Sequence, residues 1–433
     1  MRRIFPEYAY GPGPRLSCWW DETVDAPDWP VLREQRRVDV GIVGGGYTGL
    51  SAALRLAERG ASVAVVEAGP PGWGASGRNG GFCCLGGSKL SAAAMTRRHG
   101  PEAAAEYQRA ERAAVDLVAD LIARHGIAAD RHSQGETVLA HSRRAWRRLR
   151  SSGEDAELHD KVALARLGLG HQFHGGMTRP VGFALNPRKF LFGLAHAARN
   201  AGAEIYGNSP AVALERVRGG HAIGTDQGLL ACGSVLICTN GYSSEDLPPW
   251  LAGRYMPTQS SVMVTRPLTE TELAKAGWTS AQMAYDTRHL LHYFRLMPDR
   301  RFLFGMRGGL RASPGSEAAI RTRLRRDFDR MFPDWAHVEA THSWSGLVCL
   351  ARNLVPFVGA VPHQPGVFAA FAYHGNGVAM GSFCGRALAD HVLGAPEPAP
   401  RVMTTPPGRF PLGRYRRAIM PPAYMVLGLL DRL

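Results

Sequence analysis

The chain has 433 residues, 45% of them hydrophobic, and a formal net charge of +14. That length predicts two or three folding units and the composition excludes wholesale disorder. The excess arginine is dispersed as singlets and pairs such as Arg97-Arg98, Arg147-Arg148 and Arg325-Arg326 rather than gathered in a block, so a solvated basic surface is expected and nucleic acid is not an expected partner. The opening MRRIFPEYAY lacks the apolar core of a secretory signal, and no run of about 18 apolar residues predicts a transmembrane segment. The seven cysteines are scattered, with Cys83 and Cys84 adjacent in neither a CxxC nor a zinc spacing. They read as reduced thiols, with no metal site and a cytoplasmic setting.

In chain order, residues 1–30 form an irregular lead-in rich in Pro, Gly and aromatics. VDVGIV at 38–43 predicts a buried strand. Residues 47–60 place Leu50, Ala53, Leu54 and Ala57 at helical spacing, and SVAVVE at 62–67 predicts a second strand. Strand, tight turn, helix, strand is a βαβ unit with a parallel strand pair. An irregular Gly-rich stretch follows from Gly69 to Gly87. Helices are expected at 102–125, 142–150, 188–201, 318–330 and 377–393. Strands are expected at 233–238, 354–359 and 366–373, with an antiparallel sheet built from segments such as SVMVT, HYFRL and RFLFG between about 255 and 310. The tail from 395 is Pro-rich, then basic, then apolar (YMVLGLLDRL). It reads as a helix docked on the body, with a membrane-surface helix as the alternative.

The turn after the first strand carries Gly44-x-Gly46-x-x-Gly49. The first glycine permits the tight turn, the second lets backbone approach a pyrophosphate, and the third allows close helix–strand packing. Tyr47 and Thr48 open the helix, whose free N–H groups and positive dipole end suit phosphates. Glu67 lies 18 positions after Gly49, where a carboxylate accepts hydrogen bonds from ribose hydroxyls and repels a 2′-phosphate. A second glycine-rich run, Gly74-Ala75-Ser76-Gly77-Arg78-Asn79-Gly80-Gly81, begins seven residues past Glu67. Its closeness to the ribose position favours an extended dinucleotide such as FAD over NAD(P), since it can wrap the remainder of the cofactor.

IVGGGYTGLSAAL and GASGRNGG, with Asn186-Pro187, LICTNGYS, HYFRL, RFLFGMRGG, WSGLV, Asn353-x-x-Pro356-x-x-Gly359 and AYHGNGVAMGSFCGRALAD, resemble FAD-dependent oxidoreductases of the D-amino-acid oxidase, glycine oxidase and sarcosine oxidase superfamily. Within it the chain is most similar to gamma-glutamylputrescine oxidoreductase-like proteins. The resemblance implies an α/β fold: a Rossmann-like FAD-binding domain (31–95, 180–250 and 345–400) interwoven with a mixed-sheet, α+β substrate domain (96–179 and 251–344), with residues 401–433 as a tail. It implies non-covalent FAD. Val212 would meet the adenine through backbone, Thr239, Asn240 and Gly241 would turn the chain near the cofactor, and Gly346 would lie beside it. Gly375, Asn376, Gly377 and Val378 would aim a helix start at the flavin pyrimidine, where reduced flavin carries negative charge.

The same resemblance implies oxidation of an amine C–N bond to an imine that water hydrolyses, with oxygen or another acceptor taking the electrons. The rival within the family is an amino-acid oxidase or dehydrogenase. Glycine and D-amino-acid oxidases carry a carboxylate-clamping arginine in the segment that resembles WSGLV. Val348 occupies that position here, which favours an amine whose carboxylate is distant or missing. Asn353 stands where the family often has aspartate. His374, Arg295 and Arg307 are the candidates for substrate contact, with Gln259 as a further neighbour of the ring, and Cys349 is read as a small buried residue rather than a flavin link.

Overall fold

The strand Gln35–Val43 enters solvent-exposed and ends buried on both faces, as a central strand of a covered parallel sheet does. The computed structural model describes residues 1–153, 156–395 and 399–431. Gln35–Val43 pairs in parallel with Val63–Val66 on one side and with Leu229–Ile237 on the other, setting Ile42 opposite both Val65 and Leu236. Glu204–Tyr206 extends the sheet beyond Val63–Val66, and Val367–Phe371 extends it beyond Leu229–Ile237, both in parallel. Phe357–Ala360 closes that edge antiparallel, and the hairpin Ala211–Val217/Gly220–Thr225 attaches to Leu229–Ile237.

Helices Tyr47–Ala57, Pro101–Arg124, Pro187–Asn200 and Ala379–Val392 cover one face with a continuous core that includes Leu50, Leu54, Val118, Phe190, Leu194 and Leu388. Two of these helices cross at backbone contact: a Cβ on Gly385 would stand 2.1 Å from the carbonyl oxygen of Thr48. Pro187 starts its helix at the first position. The Asn186 side chain caps it, accepting the N–H groups of Arg188 and Lys189 at 3.1 Å each. The opposite face packs Val43, Val66, Val235, Trp250 and Phe371.

A second, mixed sheet runs in the spatial order Ala340–Ala351, Tyr255–Thr265, Phe302–Arg307, His292–Leu296, Met283–Asp286, Glu136–Leu139, Gly176–Arg179, Glu157–His159. Met283–Asp286 and Glu136–Leu139 run parallel; the other neighbours are antiparallel. Helix Pro314–Met331 covers one side of this sheet, burying Phe328 among Phe294, Phe302, Phe304, Phe332, Trp278 and Trp335.

The strand Ala340–Ala351 stays paired with Tyr255–Thr265 along its whole length. Residues 345–351 therefore continue the second sheet. The tail does form a helix, Met420–Leu430. Residues 396–398 of its Pro-rich part and the final 432–433 lie outside the described residues. Among the described residues, no helix is long and apolar enough to cross a membrane.

Candidate functional site

Between the two sheets lies a cavity of about 480 Å3. The fingerprint turn forms its floor. Gly44 is at φ +109°, and a Cβ there would stand 2.8 Å from the carbonyl oxygen of Cys238. Gly46, at the N-cap, has no side chain of its own to close the helix start, and Gly46, Tyr47 and Thr48 line the cavity there. Glu67 accepts the Gly45 N–H at 2.7 Å and the Gly69 N–H at 3.2 Å. Burial raises its pKa, and those N–H groups oppose the rise.

The second glycine-rich run folds over this floor. Ala75, Ser76, Arg78, Asn79 and Gly80 line the cavity. Ser76 Oγ accepts the Tyr47 N–H at 3.0 Å, joining loop to helix start. Asn79 braces the loop: its Nδ2 donates to the Tyr47 hydroxyl and to the carbonyls of Ala75 and Ser76, and its Oδ1 accepts the Gly81 N–H. Arg78 is 2% exposed. It donates to the carbonyls of Trp73 and Ser345, and its guanidinium sits over the Trp73 and Tyr242 rings.

The far wall is a turn with unusual backbone. Ala372 (φ +67°), His374 (φ +50°) and Gly375 (φ +105°) all adopt positive φ, costly for the two that are not glycine. The turn delivers Gly375, Asn376, Gly377 and Val378 to the cavity before the helix Ala379–Val392 begins. Thr239 and Asn240 line the side, and the Asn240 carboxamide oxygen accepts the Ala372 N–H at 2.9 Å. Gly346, from the second sheet, lines the cavity as well.

Several expected residues serve the scaffold instead. Gly49, Gly77, Gly81 and Gly241 do not line the cavity. A Cβ at the first three would lie 1.9 to 2.1 Å from the carbonyl oxygens of Gly44, Gly72 and Leu185, so they permit backbone crossings. Pro210 and Ala211 line the cavity, and Val212, one residue further along the strand, is 46% exposed. Arg295, fully enclosed and away from the cavity, donates to the carbonyls of Gly80 and Leu185 and to His132 Nε2. Burial lowers its pKa to about 9, leaving it cationic at neutral pH.

His374 does line the cavity, yet both ring nitrogens are engaged by backbone. Nδ1 donates to the Gly87 carbonyl at 2.6 Å and Nε2 accepts the Ala351 N–H at 3.2 Å. Burial lowers its pKa to about 3, so the ring is neutral and holds the turn, with no nitrogen left for a substrate. Gln259 is also withdrawn from the cavity, donating to Glu317 at 2.9 Å.

Arg307 differs from these. Its guanidinium lines the cavity and makes no hydrogen bond or ion pair with any described residue. One of its terminal nitrogens would stand 3.6 Å from a Cβ on Gly375, at the start of the closing turn. Around it the wall holds Val262, Tyr285, Leu291 and Tyr293, with Ser260 bonded to the Tyr293 hydroxyl at 3.0 Å. Glu136 faces the same end and is paired with Arg179 at 3.1 Å. The sequence reading missed Ser260, Tyr285, Tyr293 and Glu136. They are isolated residues on four strands, and only strand pairing brings them together.

The cavity fits FAD. Two buried polar atoms on its lining residues, Arg78 Nη2 and Asn376 Oδ1, have no protein partner. Such atoms are costly unless a bound group or water answers them. The helix start at Gly46–Thr48, a carboxylate at the next strand end and side-chain-free backbone at Gly44 and Gly46 complete a cradle for a dinucleotide.

Comparison with known proteins agrees. The chain is 31% identical to a probable oxidoreductase OrdL of Rhizobium meliloti (strain 1021), over 96% of this chain and 97% of that one. It is 28% identical to the gamma-glutamylputrescine oxidoreductase of Escherichia coli (strain K12), over 89% and 91% of the two chains. In fold it is similar to glycine oxidase from Geobacillus kaustophilus, with a TM-score of 0.68 at 24% identity over 83% and 95% of the chains. It is equally similar to iminodiacetate oxidase from Chelativorans sp. BNC1, with a TM-score of 0.68 at 19% identity over 84% and 98%. The family model for FAD dependent oxidoreductases matches residues 39–391, and a match of that extent, on the cradle just described, makes this chain a member of the FAD-dependent oxidoreductase family.

Proposed function

We propose that the protein oxidises the C–N bond of an amine carrying an acidic group apart from the reacting nitrogen. The product is an imine, which water hydrolyses to a carbonyl compound and an amine or ammonia. The observation that supports this reading is the unpartnered guanidinium of Arg307 in the cavity wall, a fork suited to a carboxylate. FAD, when bound, supplies the acceptor for the hydride equivalent leaving the carbon beside nitrogen.

The protein's own residues set the conditions. The reacting amine must be neutral, because an ammonium has no lone pair. Val262, Leu291, Tyr285 and Tyr293 make a weakly polar chamber, and burial disfavours the cation. Arg307 adds a like charge, which disfavours an ammonium further. Orienting the substrate between Arg307 and the closing turn then carries the rest. The Cys349 thiol is 1% exposed and burial pushes its pKa up to about 12, which leaves it protonated and supports non-covalent FAD. Oxygen or another carrier takes the electrons.

A second reading is an α-amino-acid oxidase or dehydrogenase. Arg307 itself favours it: Val348 supplies no clamp, yet Arg307 lies two strands away in the same sheet, opposite Ser260, which in turn faces Gly346. Anaerobic loss of visible absorbance separates the two. Amines with a remote carboxylate should bleach the holoenzyme, and Arg307→Met should raise the concentration needed by about 10-fold or more without affecting uncharged N-alkyl amines. Bleaching by α-amino acids alone would overturn the amine reading.

A further inference from the structure

Six of the fifteen large apolar side chains that stand exposed among the described residues fall between positions 412 and 430: Leu412, Tyr415, Met425, Val426, Leu429 and Leu430. The last four are 65%, 52%, 55% and 48% exposed. Within the helix Met420–Leu430 the outward residues follow a four-residue repeat, Pro421-Pro422, Met425-Val426 and Leu429-Leu430, which is one face of a helix. That helix contains no charged residue.

The helix is not loose. On its inner side the Tyr424 side chain lies close to Thr258 and Arg307. The Asp431 carboxylate accepts the N–H groups of His289 and Leu290 at 2.6 and 3.0 Å. An apolar stripe is therefore fixed outward, on an element whose other side abuts the wall of the substrate chamber.

Beside the stripe runs a groove of about 1070 Å3. Met425 and Leu429 form one bank, and Arg323, Arg326 and Arg330 of the helix Pro314–Met331 the other. Arg326 and Arg330 are 63% and 74% exposed. One carboxylate, Asp327, is shared among the three arginines and His292, so the bank stays positive. Fixed apolar side chains next to exposed guanidinium groups complement acyl chains under anionic headgroups. At about 1.5 Å per residue the helix is too short to cross a bilayer, so it lies in the plane of the surface.

We propose that Met420–Leu430 is an interfacial anchor that seats the protein on an anionic lipid bilayer, with the apolar stripe at the acyl boundary and Arg323, Arg326 and Arg330 among the headgroups. This does not depend on which amine is oxidised.

The test is co-flotation of full-length holoenzyme with vesicles of phosphatidylcholine containing phosphatidylglycerol, and with vesicles of phosphatidylcholine alone. Binding should require phosphatidylglycerol and weaken with salt. The pair Arg326→Gln and Arg330→Gln should lower affinity by about 30-fold. Val426→Glu with Leu430→Glu should abolish flotation while the visible flavin spectrum stays intact, which shows that the fold holds. Failure to float with either vesicle, or flotation unchanged by the two glutamates, overturns the proposal. So does a lipid-free dimer that the same glutamates dissociate in sedimentation equilibrium, because the stripe would then be an interface between copies.

Discussion

The Ser76 hydroxyl accepts the backbone N–H of Tyr47 at 3.0 Å, tying the second glycine-rich loop to the first turn of the fingerprint helix. One neutral hydrogen bond is worth about 1 kcal/mol net. Ser76→Ala should therefore weaken FAD retention about 5-fold, measured as flavin fluorescence released on dilution. Gly49→Ala is more severe, because its Cβ would stand 1.9 Å from the Gly44 carbonyl oxygen. That variant should purify without visible absorbance.

Glu67 holds two N–H groups of the cradle and presents its carboxylate to the cavity. In Glu67→Gln the amide NH2 must face an N–H or a ribose hydroxyl that the carboxylate accepted. The flavin-to-protein absorbance ratio should fall, with FAD affinity down about 10- to 100-fold for the loss of charge-assisted bonds.

Arg295 and Arg307 occupy the ends of adjacent paired strands and should respond oppositely. Arg295→Met removes donors from two buried carbonyls and from His132, and should cost about 2–5 kcal/mol in denaturant unfolding. Its KM should not change in the fraction that stays folded. Arg307→Met breaks no protein hydrogen bond and should leave the unfolding midpoint near wild type while raising KM for acid-bearing substrates.

Glu111 is half-buried near Glu136, and its pKa is raised to about 8 by burial first and that carboxylate second. The sign follows directly. Between the ordinary carboxylate range and about pH 8 the folded state keeps a proton that the unfolded state has released. Stability therefore falls as pH rises, by up to about 1.4 kcal/mol per pH unit across that window. Glu111→Gln should flatten this slope and melt higher than wild type above pH 8, as thermal scans across the range would reveal.

The fingerprint was legible in sequence because it is local. Gly44, Gly46, Gly49 and Glu67 act within one βαβ unit, where chain spacing nearly equals spatial spacing. The helices Tyr47–Ala57, Pro187–Asn200 and Ala379–Val392 were legible for the same reason: apolar periodicity, together with the Asn186-Pro187 start of the second, states their burial directly. The substrate end was decided by tertiary structure. Arg295 and Arg307 look alike on neighbouring strands, and only the fold shows Arg295 closed among backbone carbonyls and Arg307 open to the cavity. Periodicity records how often a side chain turns inward, but strand pairing across distant segments decides what it meets there.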